Sequence, residues 1–145
     1  MSAARILLAE DHPTMADRLA ELLCQDFDVV GVVSDGVALV QAARTLDPDV
    51  VVADISMPRL NGLKAVEQLR NEHCRAKFVM LSVDPEEALA RRALAAGASA
   101  FVVKTYAGTE LSEAITAALS GKTFISAAVA PAPLQSSAKR NNFVP

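Results

Sequence analysis

At 145 residues the chain can bury a proper core, and its hydrophobic content of 52% suits a sheet covered on both faces. Fourteen basic residues against 17 acidic ones leave a net charge of −3, which argues against nucleic-acid binding through a general basic surface. No run approaches the roughly 20 apolar residues that span a bilayer, the start MSAARILLAED is too short in its apolar part for a signal peptide, and Cys24 and Cys74 have neither metal-ligand spacing nor the density of a disulfide scaffold, so a cytoplasmic chain with reduced thiols is expected.

Residues 4–9 (ARILLA) read as a first strand and end at Glu10 and Asp11. Met15, Leu19, Leu22 and Leu23 come next with helical spacing. Residues 27–33 (FDVVGVV) form a second apolar run, closed by Ser34 and Asp35. After Asp35-Gly36, a stripe of Val37, Leu39, Val40, Ala43 and Leu46 stops before Pro48, which cannot continue a helix. Residues 49–53 (DVVVA) precede Asp54, and a third helix carrying Leu63, Val66 and Leu69 comes after Asn61-Gly62. Residues 77–81 (KFVML) precede Ser82, and Leu89, Ala93 and Leu94 mark a fourth helix that Gly97 can terminate. Residues 99–103 (SAFVV) precede Lys104. A fifth helix, with Thr109 as a fair N-cap, carries Leu111, Ile115, Ala118 and Leu119 to Gly121.

Continuous Val/Ile/Leu runs of this length suit strands buried on both faces, as parallel sheets require. The fivefold alternation specifies a doubly wound α/β domain over residues 1–126, with a five-stranded parallel sheet flanked by five helices. Residues 127–145, rich in Ala, Pro, Ser and Asn, read as a linker, with one more short helical turn near Ser126 to Val129.

In a parallel sheet the strand ends meet at one edge, so Glu10, Asp11, Asp54, Ser82 and Lys104 converge there. Three carboxylates in one place resist ionising together unless a cation sits among them. The set therefore asks for a divalent metal and offers a carboxylate nucleophile with a hydroxyl and an ammonium beside it. Taken singly, each residue has a plainer use: Glu10 or Asp11 as a helix cap, Asp54 as turn chemistry, Ser82 as an N-cap before Asp84, and Lys104 as a solvated side chain. Joint placement at one edge favours the functional reading. His12, beside the acids, is read as a bystander, and Pro58 and Gly62 as residues that shape the loop after Asp54.

The segments LLAEDHP at 7–13, VVVADISMPRLNGL at 50–63, VMLSVDPEE at 79–87 and GASAFVVKT at 97–105, in this order and spacing, resemble the receiver (CheY-like) domain of bacterial two-component response regulators. The EDHP start and GKTFIS at 121–126 resemble the subgroup whose output is a LuxR-type helix-turn-helix. The resemblance implies a flavodoxin-like or CheY-like fold, phosphoacceptor Asp54, phosphate contacts from Ser82 and Lys104, and Mg²⁺ held by Asp11 and Asp54, with Glu10 nearby and the backbone carbonyl of Ser56 as a further ligand. It also implies a Ser82–Phe101 switch in which the ring turns inward. The partner is then a sensor histidine kinase, homodimerisation is open, and DNA is reached only through an output domain beyond residue 145. Such a protein is a signalling switch that assists its own aspartyl phosphorylation and dephosphorylation rather than a conventional enzyme.

Two positions depart from the common pattern: Thr105 where many receivers carry proline, and Phe101 where tyrosine is common. Other readings are a stand-alone receiver that shuttles phosphate in a relay, a partner-binding pseudo-receiver, and a flavodoxin-type electron carrier. The last is disfavoured because the acids of the first loop repel phosphate and aromatic content is only 4%.

Overall fold

The computed structural model describes residues 3–129, in which strands and helices alternate as the apolar patterning requires. In chain order they are β1 (Arg5–Ala9), α1 (Pro13–Cys24), β2 (Asp28–Val33), α2 (Gly36–Leu46), β3 (Val50–Asp54), α3 (Gly62–Asn71), β4 (Lys77–Ser82), α4 (Glu87–Ala96), β5 (Ala100–Val103), α5 (Ala107–Leu119) and β6 (Phe124–Ile125). A 3₁₀ turn, Lys104–Tyr106, joins β5 to α5. All strand pairs are parallel, in the order β2-β1-β3-β4-β5-β6. The chain passes outward from β1 to β2 and then back across to β3, so the direction of winding reverses between the carboxyl ends of β1 and β3. Helices before and after the reversal lie on opposite faces there, leaving a crevice.

Side-chain alternation divides the strands between two cores. Leu7, Val51, Met80 and Phe101 face α2, α3 and α4, whereas Ile6, Leu8, Val52 and Leu81 face α1 and α5. β1, β3, β4 and β5 are buried almost throughout. At the amino edge, Arg5 bonds to the carbonyls of Leu46 and Asp47, and its own N–H donates to Asp49. Arg75 reaches Asp47 and Asp49 from the other side.

The structure corrects several expectations. The sheet has six strands, not five: residues 124–125 are too few to show a periodic pattern and are held by backbone bonds to β5. β2 is an edge strand with half-exposed residues, not a strand buried on both faces. Helix α5 begins at Ala107, and Thr109 lies inside it with its hydroxyl donating to the Tyr106 carbonyl, so Thr109 is not the cap. The inner stripe of α4 is Ala90, Ala93 and Ala96, whose small side chains let the helix lie close to the sheet, while Leu89 and Leu94 are only half-buried. A turn at Ser126 to Val129 is present, closed by the Val129 N–H on the Ser126 carbonyl. The remainder of the expected linker, from residue 130, lies outside the described residues.

Gly62 fixes how α3 meets β3. A Cβ there would stand 2.2 Å from the carbonyl oxygen of Asp54, a backbone atom that cannot step aside, and the Gly62 N–H donates to the Ile55 carbonyl. Gly108, in the first turn of α5, has open space around it. Gly62→Ala should therefore lower the urea-unfolding free energy by about 1–3 kcal/mol through overpacking, whereas Gly108→Ala should raise it by about 0.5–1 kcal/mol through reduced chain entropy. Equal effects of the two substitutions in urea titrations would contradict this packing.

Candidate functional site

Asp54 closes β3 and is 4% exposed. Its Oδ1 accepts the Ser56 N–H at 3.1 Å, a local Asx contact that sets the loop turning away from the strand. Asn61 then caps α3 by accepting the Lys64 N–H, and the Gly62–Ile55 backbone bond closes the loop. Asp54 thus sits at the base of a seven-residue connection whose two ends are tied together.

Glu10 and Asp11 leave β1 on the other side of the crevice. Neither caps α1: His12 occupies that position, and no side chain completes the cap. Glu10 is 1% exposed, and its Oε2 accepts the His12 N–H at 3.1 Å. The Oδ1 of Asp11 is buried without a hydrogen-bond partner, its neighbour being the Nδ1 of His12 at 3.4 Å. An unsatisfied carboxylate oxygen is costly in such a place unless a cation or donor reaches it. Asp11 shares an open cleft with Ser56, Met57, Pro58 and Arg92. An unpartnered Asp11 oxygen close to the Glu10 carboxylate suits a hard divalent cation.

Lys104 is the ammonium of this edge. It donates to Asp54 Oδ2 at 2.8 Å and forms an ion pair with Glu10 Oε1, a contact whose geometry lies outside that of a hydrogen bond. Burial alone would lower the Lys104 pKa, but the two carboxylates outweigh it and hold the ammonium above its ordinary value. Asp54 is raised as well, which for a carboxylate means that its charge is disfavoured. Burial raises it most, the Lys104 contacts and the Ser56 N–H pull it down, Glu10 pushes it up again, and the result lies above the ordinary range. Burial thus outweighs the single Lys104 contact at Asp54, and Lys104 also pairs with Glu10.

The other expected residues fall at the same edge. Ser82 ends β4, is 4% exposed, and its Oγ accepts the Asp84 N–H at 2.9 Å, which leaves the hydroxyl proton available to an acceptor. Register sets Asp54 beside Leu81 and Ser82 beside Val103, the residue before Lys104. Phe101 is 0% exposed, so its ring is already enclosed in the core, and the expected inward turn has no outward starting point in this structure. Tyr106 is exposed, on the 3₁₀ turn that carries Thr105. His12, set aside on the sequence, belongs to the acid group: its ring nitrogen lies 3.4 Å from both Glu10 Oε2 and Asp11 Oδ1, and the three residues can place one ligand atom each within 4.8 Å of one another. Its adjacency to both acids was the signal available. Val83, 76% exposed beside Lys104 and His12, had no sequence signal at all.

The chain matches the response regulator receiver domain family over residues 6–116. It is 33% identical over 130 residues to the nitrate/nitrite response regulator protein NarL of Escherichia coli K12, covering 88% of this chain and 60% of that protein. To the transcriptional regulatory protein PdtaR of Mycobacterium tuberculosis it is 35% identical over 117 residues, covering 80% and 57%. A two-component response regulator of the LuxR family from Aurantimonas sp. SI85-9A1 has a crystal structure that superposes with a TM-score of 0.84 at 31% identity, covering 88% of this chain and 93% of that one. The chain thus spans at most 60% of the length of these two curated relatives.

The charge balance makes opposite forecasts for Lys104 and Asp54. Lys104→Met strands two buried carboxylates and should lower stability at pH 7 by about 3 kcal/mol. Asp54→Asn removes a charge that burial disfavours and should raise stability at pH 7. Because the folded-state pKa of Asp54 is raised, its ionisation costs stability as pH climbs through that value. The gain from Asn is therefore full at higher pH and vanishes below the ordinary carboxylate range, where both folded and unfolded Asp54 hold the proton. The Lys104→Met loss should shrink on acidification for the same reason. Urea titrations at pH 7 and about pH 4 check both signs; destabilisation by Asp54→Asn at pH 7 would contradict the assigned balance.

Proposed function

The chain belongs to the response regulator receiver domain family, and from that membership we propose that it is a phosphorylation-controlled switch in which Asp54 accepts a phosphoryl group from a sensor histidine kinase. The observation that carries the residue assignment is the convergence of Glu10, Asp11, Asp54, Ser82 and Lys104 at one sheet edge, with Asp54 central and contacted by Lys104. In the transfer, a carboxylate oxygen of Asp54 forms a bond to phosphorus while the bond from phosphorus to the donor's leaving group breaks, the leaving group keeping the electron pair. Hydrolysis by water returns the carboxylate and inorganic phosphate.

Two anions must meet for this to happen, so the protein's task is alignment and charge neutralisation. Asp54 is oriented by the Ser56 N–H and by Lys104. As charge grows on the phosphoryl oxygens, the Lys104 ammonium is within reach to follow it, and the Ser82 hydroxyl has its proton free to donate. Asp11 and Asp54 would hold Mg²⁺, with the Ser56 carbonyl as a third protein ligand and Glu10 assisting, and the ion would supply positive charge to an equatorial phosphoryl oxygen. Glu10 assists from behind: its two oxygens already serve Lys104 and the His12 N–H. Phosphorylation then biases β5 and its neighbours through Ser82, Lys104 and Phe101.

NarL and PdtaR are named as regulators, PdtaR and the Aurantimonas protein's LuxR family pointing to transcription. The proposed full-length role is accordingly transcriptional control, with DNA reached by an output domain outside this chain. Among the described residues no helix is long and apolar enough to cross a membrane.

Incubation with acetyl phosphate and Mg²⁺ should add one phosphoryl group that hydroxylamine removes, since an acyl phosphate is labile to it. Asp54→Asn should gain none; a hydroxylamine-labile group acquired by that variant with unchanged kinetics would refute the acceptor assignment. Calorimetric Mg²⁺ titration should show a loss of about tenfold or more in affinity for Asp11→Asn and a smaller one for Glu10→Gln, because the former deletes a direct ligand. Wild-type affinity in Asp11→Asn would remove it from the metal set.

A further inference from the structure

After α5 the chain returns to the sheet. Residues 124–125 add to the edge of β5 as β6, with Ala100 opposite Phe124 and Phe101 opposite Ile125. A two-residue strand has little stability of its own, and here a fastening supplies it. Ser126 is 3% exposed, and its hydroxyl donates to Glu110 Oε1 at 2.5 Å, while the Ala127 N–H donates to Glu110 Oε2 at 3.2 Å. One carboxylate is thus satisfied at both oxygens by two consecutive residues. Glu110 lies in the first turn of α5, where the helix dipole favours its charge. On the opposite side, the Ser126 N–H donates to the Phe101 carbonyl at 2.8 Å. Phe124 packs with the α1/α5 core, and Ala128 and Val129 pack with the α2–α4 core, so the segment straddles the sheet edge.

We propose that residues 124–129 are a latch, fastened by Glu110 to α5 and by Phe101 to β5, which holds this segment on the sheet edge and couples its hold to the state of β5. The path is short. Ser82 is paired with Val103 on one side of β5, Lys104 comes directly after Val103, and Phe101 is paired with Ile125 on the other side. A shift of β5 changes the register contacts that hold the latch. What moves β5 rests on the phosphorylation reading; the fastening itself does not.

Amide hydrogen exchange on the full chain separates the two. Without any phosphodonor, Glu110→Ala should speed exchange at the amides of Ser126, Ala127 and Val129 by about tenfold or more, with Leu19 and Leu23 in α1 keeping wild-type protection. Glu110→Gln, which retains an oxygen acceptor but not the charge, should fall between. Ser126→Ala repeats the test from the other partner and decides it if Glu110→Ala loses protection throughout. Wild-type exchange at all three amides in both Glu110→Ala and Ser126→Ala overturns the latch. With beryllofluoride and Mg²⁺ as the phosphoryl analogue, exchange at these amides should change by about threefold or more in the wild type and not in Glu110→Ala. A response at Asp84 with none at residues 126–129 overturns the coupling while leaving Asp54 as acceptor.

Discussion

One ammonium shared among buried carboxylates is the constraint on which this structure turns. Glu10 and Asp54 are almost fully enclosed, Asp11 has a buried oxygen with nothing to accept from, and Lys104 is the cation that reaches the first two. Ion pairs of this kind rarely add stability over apolar packing, because removing both charges from water costs nearly as much as their attraction returns. The edge is kept short of positive charge, and that deficit makes it receptive to a further cation. The amino edge is built differently: Arg5 and Arg75 both contact Asp49, and its carboxyl lies below the ordinary range, the Arg5 N–H bond being the foremost cause. Charges there are matched and lie nearer to water.

Backbone geometry keeps the deficit in place. Asp54 cannot drift because Ser56 holds its carboxylate and Gly62 lets α3 lie against its carbonyl. Gly36 does similar work where α2 begins, since a Cβ there would strike the Leu60 carbonyl. The loop after β3 is thereby trapped between two helix starts. Lys104 follows directly on β5, two strands from β3, so its meeting with Asp54 depends on the register of β3, β4 and β5 being correct.

Much of this was legible in the sequence because it rests on strong local signals. Apolar runs that each stop at a chemical residue mark strands and their carboxyl ends together, so Glu10, Asp11, Asp54, Ser82 and Lys104 could be placed at one edge. The features that escaped notice lack such a signal. Phe124–Ile125 is too short to be periodic, and it is a strand only because β5 offers an open edge and Glu110 holds the adjoining Ser126 and Ala127. The start of α5 is hidden in the sequence because Thr109 looks like a cap, while the 3₁₀ turn Lys104–Tyr106 leads into the helix at Ala107. Side-chain orientation was also out of reach: Phe101 could be put on β5, but its enclosure results from packing within the α2–α4 layer.

β5 therefore stands between the acidic edge and residues 124–129, paired with β4 on one side and β6 on the other. The central claim is that the acidic edge does chemistry and does not merely hold Lys104. Intact mass after incubation with acetyl phosphate tests this most directly, run with Mg²⁺ and again with a chelator in excess. One added phosphoryl group is expected with Mg²⁺ and almost none with chelator. Equal phosphorylation in both, or none in either, would contradict it.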